Sequence, residues 1–134
     1  ELDTSIEILF RKNIKKIFFE SDKEQLSRVF FNLIKNSIES INEKVQKGSD
    51  FDKKIVIELN NFDNHIELTI DDNGIGFKNL DMSKKEILNP YFTTKKEGTG
   101  LGLSIVNKII NDHDGNIEFK SKDDGAIIRI IFNK

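Results

Sequence analysis

Five of the eight glycines in this 134-residue chain stand in two short runs, Gly74-Ile75-Gly76 and Gly98-Thr99-Gly100-Leu101-Gly102. Glycine and proline are the strongest interrupters of regular backbone, and the chain has a single proline. The stretches between these marks must therefore be regular elements, and the two runs must be places where the backbone turns or lies unusually close to something. A long segment opens at Ser21-Asp22-Lys23-Glu24, which has the S-x-x-E form of a capping box, and meets no glycine or proline until Gly48. Within it Leu26, Val29, Phe30, Leu33, Ile34, Ile38 and Ile41 recur at helical spacing. Asn32, Lys35, Asn36 and Glu39 fall on a different face.

The remaining stretches read as strands and helices in turn. Leu2 to Lys12 has apolar residues at mixed spacing and is expected to form a short helix, and Lys15 to Ser21 a short strand. Lys54 to Asn61 and His65 to Asp71 both alternate apolar and polar residues around the polar turn Asn60 to Asn64, which predicts a hairpin. Phe77 to Lys96 is irregular, with one helical candidate at Ser83 to Leu88. A second helix is expected from about Leu103 to Asp112, closed by Gly115 as its C-terminal glycine. Asn116 to Lys122 and Ala126 to Phe132 complete a second hairpin. Strands adjacent in sequence favour antiparallel pairing. The expected fold is α+β, a two-layer sandwich with a mixed, mostly antiparallel sheet covered on one face by helices.

Composition narrows the class. The length suits one domain, 1–134, and is too short for a TIM barrel or a two-domain dehydrogenase. With 21 basic and 23 acidic residues, no basic excess points to nucleic acid. Cysteine is absent, which excludes disulfide scaffolds and thiolate metal sites. No run approaches the length of a membrane helix, and no signal peptide is expected.

The motifs suggest phosphate and purine chemistry. Gly98, Gly100 and Gly102 directly precede a helix, where free N–H groups and the positive dipole end suit phosphate. Asp72-x-Gly74-x-Gly76 ends a strand, where a carboxylate can accept from an exocyclic amine and the glycines admit a flat ring. Asn32 and Asn36 lie one helical turn apart, and an amide oxygen is a hard ligand suited to Mg²⁺. Lys35 can meet a phosphate as a point charge. Pro90-Tyr91-Phe92-Thr93-Thr94-Lys95 can hinge a lid. Each motif alone equally fits a plain part: a flexible helix entry, an Asp-Asn-Gly turn, a solvated face, an aromatic anchor. Asp71 and Asp72 are strand neighbours and point to opposite faces, so they do not share an acid–base site. His113, at a helix end, reads as a cap, and His65 as solvent-facing.

Taken in order, the motifs resemble the sensor histidine kinases. Asn32 to Ser40 is similar to their N box, Asp72 to Phe77 to the G1 box, Pro90 to Lys95 to the F box, and Gly98 to Val106 to the G2 box. The likeness runs from about Ser21 to Phe132 and is strongest to nitrogen-regulation sensors of the NtrB and NtrY type. The resemblance implies the Bergerat fold of gyrase, Hsp90, MutL and histidine kinases, and an ATP- and Mg²⁺-binding catalytic domain. That domain would pass the γ-phosphoryl of ATP to a histidine on a separate helical-hairpin domain. By carry-over, Asn36 would be the Mg²⁺ ligand, with Asn32 and Lys35 near the phosphates. Asp72 would accept from the adenine amine, and Gly74 and Gly76 would shape the base pocket. Phe92, Thr93, Thr94 and Lys95 would belong to the lid. Gly98, Thr99, Gly100, Leu101, Gly102 and Leu103 would cradle the phosphates. The implied partners are ATP, the hairpin domain of the same, dimeric kinase and a response regulator. The implied location is cytoplasmic, with an inner-membrane anchor as one arrangement for the full-length protein.

Three features depart from the family. Asn32 stands where hydrolysing relatives carry a general-base glutamate, and a carboxamide cannot deprotonate water, which favours phosphotransfer. Gly125-Ala126 stands where the closing strand often has Gly-Thr, so a hydroxyl near the adenine is missing. The stretch Lys12 to Asp22 is shorter than its family counterpart. No phosphoacceptor motif occurs, since His113-Asp114 is followed at once by Gly115. The chain is therefore expected to bind ATP without phosphorylating itself. A hydrolytic ATPase of the gyrase–Hsp90 type, a nucleotide-gated interaction module and a serine kinase of the anti-sigma type are the rival readings.

Overall fold

The computed structural model describes residues 6–12, 23–48, 50–76 and 102–133. The elements within them are strand β1 (Glu7–Lys12), helix α1 (Lys23–Gln46), β2 (Lys54–Asn61), β3 (His65–Asp72), helix α2 (Gly102–Asp112), β4 (Gly115–Lys122) and β5 (Gly125–Asn133). The strands form one five-stranded sheet in the order β1-β2-β3-β5-β4. β1 runs parallel to β2, and the other pairings are antiparallel. The expected mixed, mostly antiparallel sheet is what the chain forms.

Alternation decides which face is buried. Ile57, Ile70, Ile128 and Phe119 lie in one cross-strand row, and Leu59, Leu68, Ile130 and Ile117 in the next. These rows point toward the helices. α1 supplies Val29, Leu33 and Ile41 to the same core, and α2 supplies Val106, Ile109 and Ile110. The opposite face carries charge. Arg129 makes a two-pronged pair with Glu67 (2.9 and 3.1 Å) and reaches Glu118 at 3.2 Å, and Lys122 pairs with Asp71.

The N-terminal expectation was wrong in kind. Glu7–Lys12 is a strand, not a helix. Ile6, Ile8 and Phe10 have period 2, and Ile8 and Phe10 lie in register with Ile55 and Ile57. Isolated, the segment has too few apolar residues to show its period. The open edge of β2 supplies its hydrogen bonds. The strand expected at Lys15 to Ser21, the capping box from Ser21 and the helix expected at Ser83 to Leu88 lie outside the described residues.

Turn chemistry also differs at one point. Gly115 does not end α2 in a left-handed conformation; Asp114 does, with φ 60°. Gly115 is instead the first residue of β4, where an added Cβ would lie 2.8 Å from the Ile131 carbonyl oxygen. His113 caps α2 as expected, its Nδ1 lying 2.8 Å from the Ile109 carbonyl oxygen. His65 lies on the outer face of β3 as expected, partly covered by Phe62, on which its ring stacks at 4.7 Å.

Candidate functional site

Ile55, Asp72 and Ala126 form the last inner-face row across the three central strands. Asp72 therefore emerges at the end of β3 on the side covered by α1, and it is only 4% exposed. Asp71 points the other way, to Lys122. The two adjacent carboxylates are thus separated by the sheet, as the strand period requires.

A buried carboxylate is costly unless hydrogen-bonded. The Gly74 N–H donates to Asp72 Oδ1 at 2.9 Å, closing a tight turn just beyond the strand. Burial pushes the Asp72 carboxyl above its ordinary range. The Gly74 N–H and the nearby Ser37 hydroxyl oppose that shift by favouring the charged form, and Asp71 adds to it. The group is thus dry, aimed inward and only partly compensated, a pattern common at functional sites.

The turn is clamped to α1. The Ile75 N–H donates to Ser40 Oγ at 3.0 Å and lies 3.3 Å from the Ser40 carbonyl oxygen. Gly74 sits so close to α1 that an added Cβ would come within 2.7 Å of the Ser40 carbonyl carbon and 2.8 Å of the Ile41 nitrogen. Gly76 has φ 70°, a conformation that suits glycine. Asn73 ties the turn to the start of β2: its Oδ1 accepts from the Lys54 N–H at 2.9 Å, and its amide donates to the Asp52 carbonyl. Lys44 donates to the Asn73 carbonyl at 3.0 Å.

Several residues around Asp72 were not singled out from the sequence. Ser37 is fully buried on α1. Ser40 holds the turn. Gly125, in the β4–β5 turn, has φ 131°, and an added Cβ there would lie 1.9 Å from the Asp72 carbonyl oxygen. Serines inside a helical stripe and a glycine in a hairpin turn carry no distinguishing pattern in one sequence. Only the crossing of α1 over the end of β3 brings them together.

On α1, Asn32 and Asn36 are half-buried and one turn apart, while Lys35 is exposed. Asn36 is adjacent in sequence to the buried Ser37 and one turn before Ser40. Gly102 begins α2, and Leu103 packs against the core. Phe92, Thr93, Thr94, Lys95, Gly98, Thr99, Gly100 and Leu101 lie outside the described residues. Among the described residues no group of three His, Cys, Asp or Glu side chains could hold a metal ion, and no helix is long and apolar enough to cross a membrane.

Comparison with known proteins gives the class to which this fold belongs, an ATPase family. Residues 21–134 match the family model described as histidine kinase-, DNA gyrase B- and HSP90-like ATPase, and the chain belongs to that family. A Rickettsia bellii protein named as an NtrY-like sensor histidine kinase is 34% identical over 98% of this chain and 20% of its own length. Nitrogen regulation protein NtrY of Azorhizobium caulinodans is 36% identical over 78% of this chain and 13% of its own. The chain thus spans about a fifth or less of these curated relatives. Among solved structures, a nucleotide-free catalytic domain of the histidine kinase ThkA superposes with a TM-score of 0.77 at 28% identity, covering 97% of this chain and 80% of that one. ThkA in complex with the response regulator TrrA gives 0.71 at 25% identity, covering 96% of this chain and 34% of that one. The sequence-based fold and family are therefore those of an ATP-binding catalytic domain of the sensor histidine kinase group.

Proposed function

We propose that this chain is the catalytic domain of a two-component sensor histidine kinase, binding ATP with Mg²⁺ and presenting the γ-phosphoryl to a histidine on a separate helical-hairpin domain. The observation that carries the reading is Asp72. It is a buried, inward-facing carboxylate at a strand end, held by the Gly74 N–H of a glycine turn. Such a carboxylate accepts from the adenine amine and fixes the orientation of the base.

The donor chemistry on α1 fits Mg²⁺. With no cluster of carboxylates or imidazoles among the described residues, a metal would rest on the Asn36 amide oxygen, phosphate oxygens and water. Mg²⁺ accepts that set, since it takes few protein ligands and keeps several waters. Bound there, it would neutralise phosphate charge. Asn32 and Lys35 would lie along the phosphates, and Gly98, Gly100 and Gly102 would supply backbone N–H groups at the start of α2. Phe92 to Lys95 would close over the nucleotide. Asn32 cannot act as a base on water, so the domain's work is positioning and charge neutralisation for transfer to a protein acceptor. That acceptor would belong to the same, dimeric kinase, and the phosphoryl group would pass on to a response regulator, the partner class seen with ThkA.

Calorimetric titration with ATP tests this reading. The wild-type chain should bind ATP in the micromolar range when Mg²⁺ is present and more weakly in chelator. Asp72→Asn should lose most of the affinity, because an amide presents a donor where the adenine amine needs an acceptor. Equal binding by both proteins would remove Asp72 from the base site. Steady phosphate release by the isolated chain above a no-protein blank would favour a hydrolytic ATPase instead.

A further inference from the structure

β1 is an outer strand of the sheet, and its far edge has no neighbour among the described residues. The Glu7 N–H donates to the Lys53 carbonyl at 2.9 Å, so the backbone groups of Glu7, Leu9 and Arg11 face β2. Those of Ile8 and Phe10 face the open edge, because backbone polar groups alternate sides along a strand. Open edges are usually blunted by charge, proline or a bulge. β1 carries charge only at its ends, Glu7 at the start and Arg11-Lys12 at the finish, with Ile8-Leu9-Phe10 between them. Ile8 is 51% exposed and Phe10 55%, although both lie in register with the core residues Ile55 and Ile57. The other outer strand, β4, exposes no large apolar side chain: Ile117 is buried and Phe119 packs against the core.

We propose that the open edge of β1 pairs with β1 of a second copy of this chain, antiparallel and centred on Leu9. What selects this occupant is that the strand is complementary to itself when reversed. In that register Glu7 lies opposite Arg11 of the second copy, Ile8 opposite Phe10 and Leu9 opposite Leu9, and the two-fold axis repeats each unlike pair. Ile8 and Phe10 become the hydrogen-bonded pairs, exchanging the N–H and C=O groups already turned outward. Glu7–Arg11 and Leu9–Leu9 become the non-hydrogen-bonded pairs, whose side chains come closest. Sliding one strand by two residues in either direction removes both charge pairs and shortens the overlap. The product is a ten-stranded sheet, five strands from each copy, with both Asp72 carboxylates on the same face. A six-residue edge is a small interface, so association is weak and depends on concentration. The pairing does not depend on the ATP-binding reading above.

Sedimentation equilibrium of the wild-type chain should show monomer and dimer in exchange, with dimer populated by about 1 mM. Glu7→Arg sets like charges opposite Arg11 of the second copy, and Arg11→Glu does the same opposite Glu7. Each should weaken self-association about tenfold or more, because symmetry counts the pair twice. Mixing the two variants restores opposite charges at both positions, so the mixture should dimerise about as the wild type does. Leu9→Cys leaves every charge in place. The chain has no cysteine of its own, and non-hydrogen-bonded antiparallel partners lie about 4.5 Å apart at Cα, within disulfide reach. Mild oxidation of Leu9→Cys should therefore give a covalent dimer, whereas Lys12→Cys, about 20 Å from its symmetry mate, should not. The proposal falls if the wild-type chain is monomeric at about 1 mM, if Leu9→Cys cross-links no faster than Lys12→Cys, or if folded Glu7→Arg and Arg11→Glu chains fail to dimerise when mixed. Where a charge variant lowers the unfolding midpoint and so loosens β1, the cross-link comparison decides.

Discussion

Replacing Gly74 by alanine tests how the base site is built. Gly74 is not among the glycines with positive φ, so an L-residue adopts its backbone conformation and the effect is steric. The new methyl would lie 2.4 Å from Ser40 Oγ, 2.7 Å from the Ser40 carbonyl carbon and 2.8 Å from the Ile41 nitrogen. The first contact is with a side-chain oxygen that can rotate away. The other two are with the backbone of a 24-residue helix held by Leu33 and Ile41 in the core, and they cannot. The turn must therefore lift off α1. Forced overpacking costs about 1–3 kcal/mol, and weakening the Ile75–Ser40 hydrogen bond adds about 1 kcal/mol. The sum, about 2–4 kcal/mol, lowers the unfolding midpoint by roughly 6–16 °C for a domain of this size. The Gly74 N–H that holds Asp72 moves with the turn, so ATP affinity should fall about tenfold, as expected for a site group shifted out of register. Thermal unfolding and ATP calorimetry are the assays. Ser40→Ala in the same chain separates the contacts: it removes the Oγ clash but neither backbone clash, so the double variant should stay nearly as unstable as Gly74→Ala. Full recovery by Ser40→Ala, or a Gly74→Ala protein with wild-type midpoint and affinity, would refute the steric argument.

The other expectations concern the same corner of the sheet. Gly125→Ala should be more damaging than Gly74→Ala, by about 3 kcal/mol or more in urea unfolding, because it adds positive-φ strain to backbone overlap at the Asp72 carbonyl; a loss under 1 kcal/mol, about the scale of an ordinary surface change, would contradict it. Asp72 also sets a pH dependence. Burial raises its folded carboxyl above the ordinary carboxylate range, so between the unfolded and the folded pKa the native chain binds more protons than the unfolded one. Stability contributed by this group is therefore greatest at low pH, falls as pH rises through that window, and is flat above it. Asp72→Asn should abolish this component, and denaturation curves for the two proteins should differ in pH slope only within the window. A parallel slope there would show that Asp72 is not desolvated.

The boundaries of the fold that follow from local pattern were legible in the sequence. Alternation in β2 to β5 chose the buried face, because one face meets helices and the other meets water. The stripe on α1 did the same at period 3.6. The separation of Asp71 from Asp72 needed nothing more than the strand period. β1 failed because a short edge strand takes its conformation from the neighbour that pairs with it, and its parallel partner β2 lies more than forty residues away. The glycine at the end of α2 failed because Asp114 tolerates the left-handed conformation locally, which freed Gly115 for a close approach visible only across the sheet.

The sequence by itself determined the class of protein. Ordered short motifs with fixed residue types survive as a linear pattern because each serves one ligand group through local backbone geometry. Only the tertiary structure decided what surrounds Asp72. Ser37, Ser40 and Gly125 come from a helix and a hairpin far apart in the chain, and nothing in their own neighbourhoods marks them. They meet because α1 must cross the end of β3 to bury its apolar stripe. That crossing makes Gly74 obligatory and clamps the turn.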